Sequence, residues 1–369
     1  KASDVKYSYE RLIKMAKMAT LLENVVGYDE MSAGTADELS GIEVQDDTHF
    51  TIQLKKPYAP FLSVLSTAYC AIYPQEACEA AGDNWGMTTL IGTGAFKLDS
   101  YQTGVGATLS RFDDYHGGAV ALSGLDYKFI EDVNTQVLEY QKGNVDYVDV
   151  DPSIYPVYSS NPDLKDQMHG FQPTGCYSLN VNSKTYSDPK VREAIALSID
   201  RKAICESILH GTATVPNSYI PAGIIGHDDS LPEFEYDPEK AKSLLAEAGY
   251  ENGEGFPVVE YLYNTSDAHK AVAEALQYMW EEELGVKVTL NNQEWAAFLQ
   301  TRKDGDYSIA RNGWIADYND PISFLDMWMT GGGNNDAQYS NEEYDSLIKE
   351  AKTTTDVKER MELLHKAED

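Results

Sequence analysis

The chain is short of positive charge. Against 60 Asp and Glu it sets only 29 Lys and Arg, a formal net charge of −31, and such a surface repels nucleic acid and anionic membrane faces. DNA and RNA binding is thereby disfavoured, and the acidic excess reads as a solubilising exterior. Long apolar runs are missing as well: no segment approaches the ~20 residues that a membrane span needs. A hydrophobic content of 42% with 24% charged residues is ordinary for a globular protein in water. Cysteine is scarce, with Cys70, Cys78, Cys176 and Cys205 forming no CxxC pair. A disulfide framework and a zinc site of the usual spacing are therefore not expected, although a single bridge between Cys70 and Cys78 is conceivable.

Catalytic signatures are equally thin. There is no GxSxG elbow and no HExxH, and the seven histidines are scattered, so neither a catalytic centre nor a cofactor or metal is expected. Gly331-Gly-Gly-Asn lacks the Lys-Ser/Thr of a phosphate loop and reads as a flexible connection. Asp146, Asp149 and Asp151 have partial calcium-loop character without its spacing or distal Glu, so a solvated turn is the better reading. Cys205, among Ile204, Ile208 and Leu209, reads as core.

What is present is length and sharp punctuation. At 369 residues the chain exceeds the usual size of one core, so two lobes are expected. It opens without Met at Lys1, already in a helical pattern, and closes at Asp369 inside another, so both ends read as cut. Residues 43–54 read as two short strands around an Asp-Asp-Thr turn, and three β-like stretches follow between residues 90 and 150. Asp188-Pro189 and Asp237-Pro238 each place a capping side chain before a proline suited to a first helical turn. A strand over 258–264, a helix over 268–284 stopped by Gly285, and a strand over 286–290 make a βαβ unit with a parallel sheet. A helix over 295–303 and a strand over about 307–312 continue the alternation.

Ligands of open α/β sheets bind outside the carboxyl ends of the strands. His269 follows the first strand of this series, Trp295 and Arg302 the second, and Arg311, Trp314 and Asp317 the third. Trp295 and Arg302, seven residues apart, share a helix face, and Arg311, Trp314 and Asp317 are expected in a loop closed by Asp320-Pro321. Each has an ordinary reading alone: Asp317 as a turn residue, the arginines as surface charges, the indoles as core, His269 as a solvated helix start. Together they place cation, anion and indole at one edge, which suits a zwitterionic ligand with apolar side chains, such as a peptide.

Residues Leu262-Tyr-Asn-Thr-Ser-Asp-Ala-His269, Leu284-Gly-Val-Lys-Val, Asn292-Gln-Glu-Trp-Ala-Ala-Phe-Leu and Ala310-Arg-Asn-Gly-Trp-Ile-Ala-Asp-Tyr-Asn-Asp-Pro closely resemble the oligopeptide-binding proteins of bacterial ABC importers, within solute-binding protein family 5. Gly92-Thr-Gly-Ala-Phe-Lys-Leu, Gly143-Asn-Val-Asp-Tyr and Asp188-Pro-Lys-Val-Arg-Glu-Ala-Ile-Ala-Leu-Ser-Ile-Asp-Arg201 extend the resemblance over nearly the whole chain. It implies an α/β, two-lobed periplasmic-binding-protein-like fold of type II with an accessory domain, truncated at both ends. Residues 1–72 would be the accessory domain, 73–172 part of lobe one and 173–369 lobe two. It further implies a monomeric extracytoplasmic receptor, periplasmic or lipid-anchored, that delivers oligopeptides to ABC permease subunits. Carried over residue by residue, Asp317 would hold the peptide ammonium, Arg311 and His269 the carboxylate of longer peptides and Arg302 that of shorter ones, with Trp295 and Trp314 as pocket walls. A carboxylate-reading lysine of the family is replaced by Leu209, and a family cysteine by Ile315. Alternatives are the same fold on a nickel chelate, murein peptide or oligosaccharide, or a carboxylate hydrolase.

Overall fold

The computed structural model describes residues 1–16, 18–150 and 152–369. The chain forms two compact units, residues 1–148 with 352–355, and residues 149–351 with 356–369. No helix among the described residues is long and apolar enough to cross a membrane. Asp146 and Asp149 are exposed, Asp151 lies outside the described residues, and no group of three or more His, Cys, Asp or Glu able to hold a metal occurs among the described residues. All four cysteines are free thiols, Cys70 and Cys78 included.

The first unit begins with helix α1 (Ala2–Lys14), whose buried face of Val5, Tyr9 and Ile13 repeats at helical spacing. It rests beside a short hairpin of β1 (Ile42–Val44) and β2 (Phe50–Ile52), antiparallel as the Asp-Asp-Thr turn predicts. Asp46 makes that turn, accepting the backbone N–H groups of Thr48 and His49, and the Thr48 backbone bond, with the side-chain bonds of His49 and Thr48, holds its pKa down at about 2. The three later β-like stretches are an antiparallel sheet of β3 (Phe96–Gln102), β4 (Gly106–Arg111) and β5 (Gly124–Lys128), in that order.

The second unit is a four-stranded sheet flanked by helices. Its strands are β6 (Gly175–Val181), β7 (Val259–Asn264), β8 (Val288–Gln293) and β9 (Ile309–Ile315), in the order β6-β9-β7-β8. β7 pairs in parallel with β8 and β9, and β6 runs antiparallel to β9. The crossover between β7 and β8 is helix α4 (Asp267–Leu284). The two Asp-Pro devices do open helices, α2 (Pro189–Leu197) and α3 (Pro238–Glu247): Asp188 accepts the N–H of Lys190 and Asp237 that of Lys240. Gly285 stops α4 in the left-handed conformation at φ 66°, which glycine adopts without the Cβ penalty.

These three helices and one sheet face enclose the main core, in which Val191, Ala194, Ile195, Ala241, Leu245, Val272, Leu276 and Trp280 meet Val259, Tyr261 and Ile309. Trp280 is almost fully buried, and its indole N–H donates to the carbonyl of Ile195, so the polar atom it carries inward is satisfied. On the other face, helix α5 (Trp295–Asp304) packs Phe298 against Leu262, Tyr307 and Ala310. A third cluster joins Ile220, Ile322, Phe324 and Leu325 to the last two helices, α6 (Glu342–Thr353) and α7 (Val357–Glu368), through Tyr344, Ile348 and Leu364.

β9 departs from expectation in a way that matters for the site. Strand structure was expected to end near residue 312, with Arg311 and Trp314 entering a loop. Pairing with β6, from Gly175↔Ile315 to Val181↔Ile309, instead carries the strand to Ile315. The sequence Cys176-Tyr-Ser-Leu-Asn-Val is the missing partner. Arg311 and Trp314 are thus strand residues separated by an odd number of positions, and they face opposite sides of the sheet.

Candidate ligand-binding site

Tyr177 and Leu179 of β6 pair with Gly313 and Arg311 of β9, so all four share one sheet face. Gly313 leaves that face bare beside Arg311: a Cβ there would come within 2.8 Å of the guanidinium Nη2. The guanidinium lies over the Tyr177 ring, 5.4 Å from its centre. The edge of the His269 ring meets the same tyrosine at 5.7 Å and 63°. Tyr177 is held in turn by a 3.0 Å hydrogen bond between its hydroxyl and that of the fully buried Tyr261. His269 comes from the first turn of α4, where its backbone N–H donates to the capping Ser266 Oγ.

The charge at this spot is not neutralised. Arg311 Nε is buried and meets no acceptor, and among the described residues no carboxylate forms an ion pair with it. Desolvation is the main cause that pushes its pKa down, and the like charge of Arg302 acts in the same direction. A guanidinium does not deprotonate in proteins, so the cation persists as an uncompensated charge.

Arg302 is different. Its Nε donates to Asp336 Oδ2 at 2.7 Å and its Nη1 to Asn312 Oδ1 at 2.9 Å, with both partners of the ion pair largely buried. Its guanidinium also lies 5.3 Å from the Phe298 ring centre. Trp295 stacks on Phe298 at 5.7 Å and remains half exposed. Trp295 and Arg302 thus share a helix face, as their spacing requires. Seven residues along α5 still separate them by about 10 Å of axial rise, so Trp295 stands at the strand-end edge and Arg302 well below it.

Trp314 sits on the same side of the sheet as α5, opposite Cys176, and packs into the third core cluster. Its indole N–H is buried without a hydrogen-bond partner. Asp317 follows two residues after β9. Its backbone N–H donates to Ser323 Oγ at 2.9 Å, and its carboxylate is accessible from solvent, yet desolvation by surrounding protein raises its pKa.

The structure therefore brings Arg311 and His269 together on Tyr177, and places Trp295 and Asp317 just beyond the carboxyl ends of β8 and β9. It puts Arg302 and Trp314 on the opposite face from Arg311. Tyr177 and Asp336 are the participants that sequence reasoning missed. The alternation around Tyr177 would have revealed its strand, whereas nothing in the glycine- and asparagine-rich stretch before Asp336 marks it.

Residues 1–336 match the model of the bacterial extracellular solute-binding proteins, family 5 Middle. The periplasmic oligopeptide-binding protein OppA of Salmonella typhimurium is 32% identical over 383 residues, an alignment that takes in all of this chain and 70% of that protein. Among solved structures, the Escherichia coli murein tripeptide binding protein MppA superposes with a TM-score of 0.80 at 25% identity. Haemophilus influenzae OppA in complex with the peptide RPPGFSPFR gives 0.76 at 28%. Each superposition covers all of this chain, with 74% and 75% of the respective neighbour. The fold is that of the two-lobed periplasmic binding proteins, and the chain belongs to the bacterial extracellular solute-binding proteins of family 5.

Proposed function

We propose that the protein is the extracytoplasmic receptor of an ABC importer, capturing oligopeptides by their backbone and charged termini and passing them to permease subunits. The observation that carries this reading is the half-buried guanidinium of Arg311, which has no ion-pair partner among the described residues and whose Nε is buried without an acceptor. An ion in such a place costs several kcal/mol unless a counter-charge offsets it, and a peptide carboxylate is a counter-charge of the right shape for a two-pronged hydrogen bond. His269 and Tyr177 frame that carboxylate. Asp317, a desolvated anion with no cation beside it among the described residues, takes the ammonium, and Trp295 and Trp314 wall the side-chain pockets. Two of the N–H groups of Arg302 are engaged by Asp336 and Asn312, so its part in carboxylate binding is secondary.

Backbone pairing in the manner of an added strand would supply affinity that ignores side chains. The protein acts as a binder rather than an enzyme, works as a monomer, and divides into an accessory domain over 1–72, part of lobe one over 73–172 and lobe two over 173–369. The oligopeptide-binding relative supports a peptide ligand, and the murein tripeptide neighbour supports a murein peptide as the nearest variant of the same reading.

Arg311→Gln tests the proposal. Removing one partner of a buried charged pair costs about 2–5 kcal/mol, so calorimetry on ligand-stripped protein should show affinity falling at least about thirtyfold. The wild type should likewise discriminate against a C-terminally amidated peptide, and Arg311→Gln should not. Equal binding of acid and amide by the wild type would overturn the carboxylate role, and cleavage of the peptide on incubation would overturn the receptor.

A further inference from the structure

We infer that Arg360 is a positioning residue for the ligand-binding carboxylate of Asp317, acting through Asp320. The inference rests on the ammonium-binding role proposed for Asp317 and goes beyond it, because Arg360 lies 43 positions further along the chain, on α7.

The segment that presents Asp317 is held from its own ends and from outside. Ala316 N–H donates to Thr174 O as the chain leaves the sheet. Asp317 N–H donates to Ser323 Oγ, and Ser323 N–H returns to Asp320 O. Asp320 Oδ1 accepts from Ile322 N–H at 3.0 Å and from Arg360 Nη2 at 2.6 Å. Arg360 is fixed by a second bond, from Nε to the carbonyl of Ala351 at the end of α6. Asn319 Oδ1, between the two aspartates, accepts from Ile225 N–H at 2.8 Å. The orientation of Asp317 therefore depends on Ser323, Ser323 on Asp320, and Asp320 on Arg360.

The ion pair is hard to explain as a device of the helix itself. Arg360 lies in the first turn of α7, where the exposed N–H groups disfavour a cation. The side chains of Arg360 and Asp320 are 7% and 8% exposed, and a buried ion pair is a poor source of stability because desolvation offsets the attraction. What it does supply is geometry: a planar fork with fixed directions, held at both prongs. Pro321 reinforces the same anchorage, with a Cβ on Gly226 falling 2.8 Å from both Pro321 Cγ and Met361 Sδ.

The readout is the affinity ratio between a free-amino peptide and its N-acetyl derivative, measured by calorimetry on ligand-stripped, folded protein. Wild type should favour the free amine by about tenfold or more, and Asp317→Asn should abolish the preference. Asp320→Asn keeps the Oδ1 acceptor for Ile322 N–H and removes only the charge, so it reads the ion pair even if Arg360→Met fails to fold. It should cut the preference by about threefold or more while leaving discrimination against C-terminal amides unchanged. Arg360→Lys, which keeps the charge but not the fork, should recover only part. If Asp317→Asn loses the preference and folded Asp320→Asn retains it in full, the positioning role is overturned and the ammonium role stands. If wild type shows no preference, the ammonium role falls and the inference with it.

Discussion

Two residues of opposite sign are held at a disadvantage to the empty protein. Arg311 carries its charge into a place where its Nε meets no acceptor, and Asp317 has its pKa raised by desolvation. A carboxyl whose pKa is higher folded than unfolded binds its proton more tightly in the folded state. Its contribution favours folding at low pH and is lost as pH rises through the raised folded value. In the absence of peptide, Asp317→Asn should therefore melt at a higher temperature than wild type at pH 7. That advantage should vanish below about pH 3.9, the ordinary aspartate value. Ligand dependence has the opposite sense: a peptide ammonium favours the ionised carboxylate, so wild-type affinity should fall on acidification starting above the ordinary aspartate range. Melts and titrations across pH 3–8 check both, and a pH-independent difference between wild type and variant would refute the account.

At the scale of elements, the caps and stops were legible because their chemistry is local. Asp188-Pro189 and Asp237-Pro238 carry helix starts in two residues, and Gly285 a helix end in one. The last is testable. At φ 66°, a Cβ on Gly285 would fall 2.5 Å from the carbonyl oxygen of Asn252, which is backbone and cannot swing aside. The left-handed conformation adds about 1–2 kcal/mol for any L side chain, so Gly285→Ala should lower the unfolding free energy by more than that amount in urea titrations. Substitution of Gly249 makes a control: it too is left-handed, at φ 95°, but a Cβ there meets nothing within 4 Å. The extension of β9 was not legible, because a strand's end is set by its partner. Residues 313–315 are strand only because Gly175, Cys176 and Tyr177 lie beside them, more than 130 positions earlier in the chain.

At the scale of the molecule, net charge makes one prediction that the fold does not. With −31 on a 41.0 kDa chain, copies repel one another at low salt. Light scattering should therefore give a mass near 41.0 kDa with and without peptide, and a concentration-dependent dimer in about 20 mM salt would contradict the monomeric reading. Membership of an extracellular family places the chain outside the cytoplasm.

The sequence alone determined what depends on neighbours in the chain: the parallel βαβ order, the helix boundaries, and the set of charged and aromatic residues near three strand ends. Tertiary structure decided which of those residues work together. Arg302 and Arg311 are nearly equivalent in sequence, two cations nine positions apart, yet one is paired with Asp336 and the other lies over Tyr177 with no ion-pair partner among the described residues. The physical reason is that a charge's role is fixed by its counter-charge and its burial. Both are supplied by segments remote along the chain, β6 for Arg311 and the loop at Asp336 for Arg302.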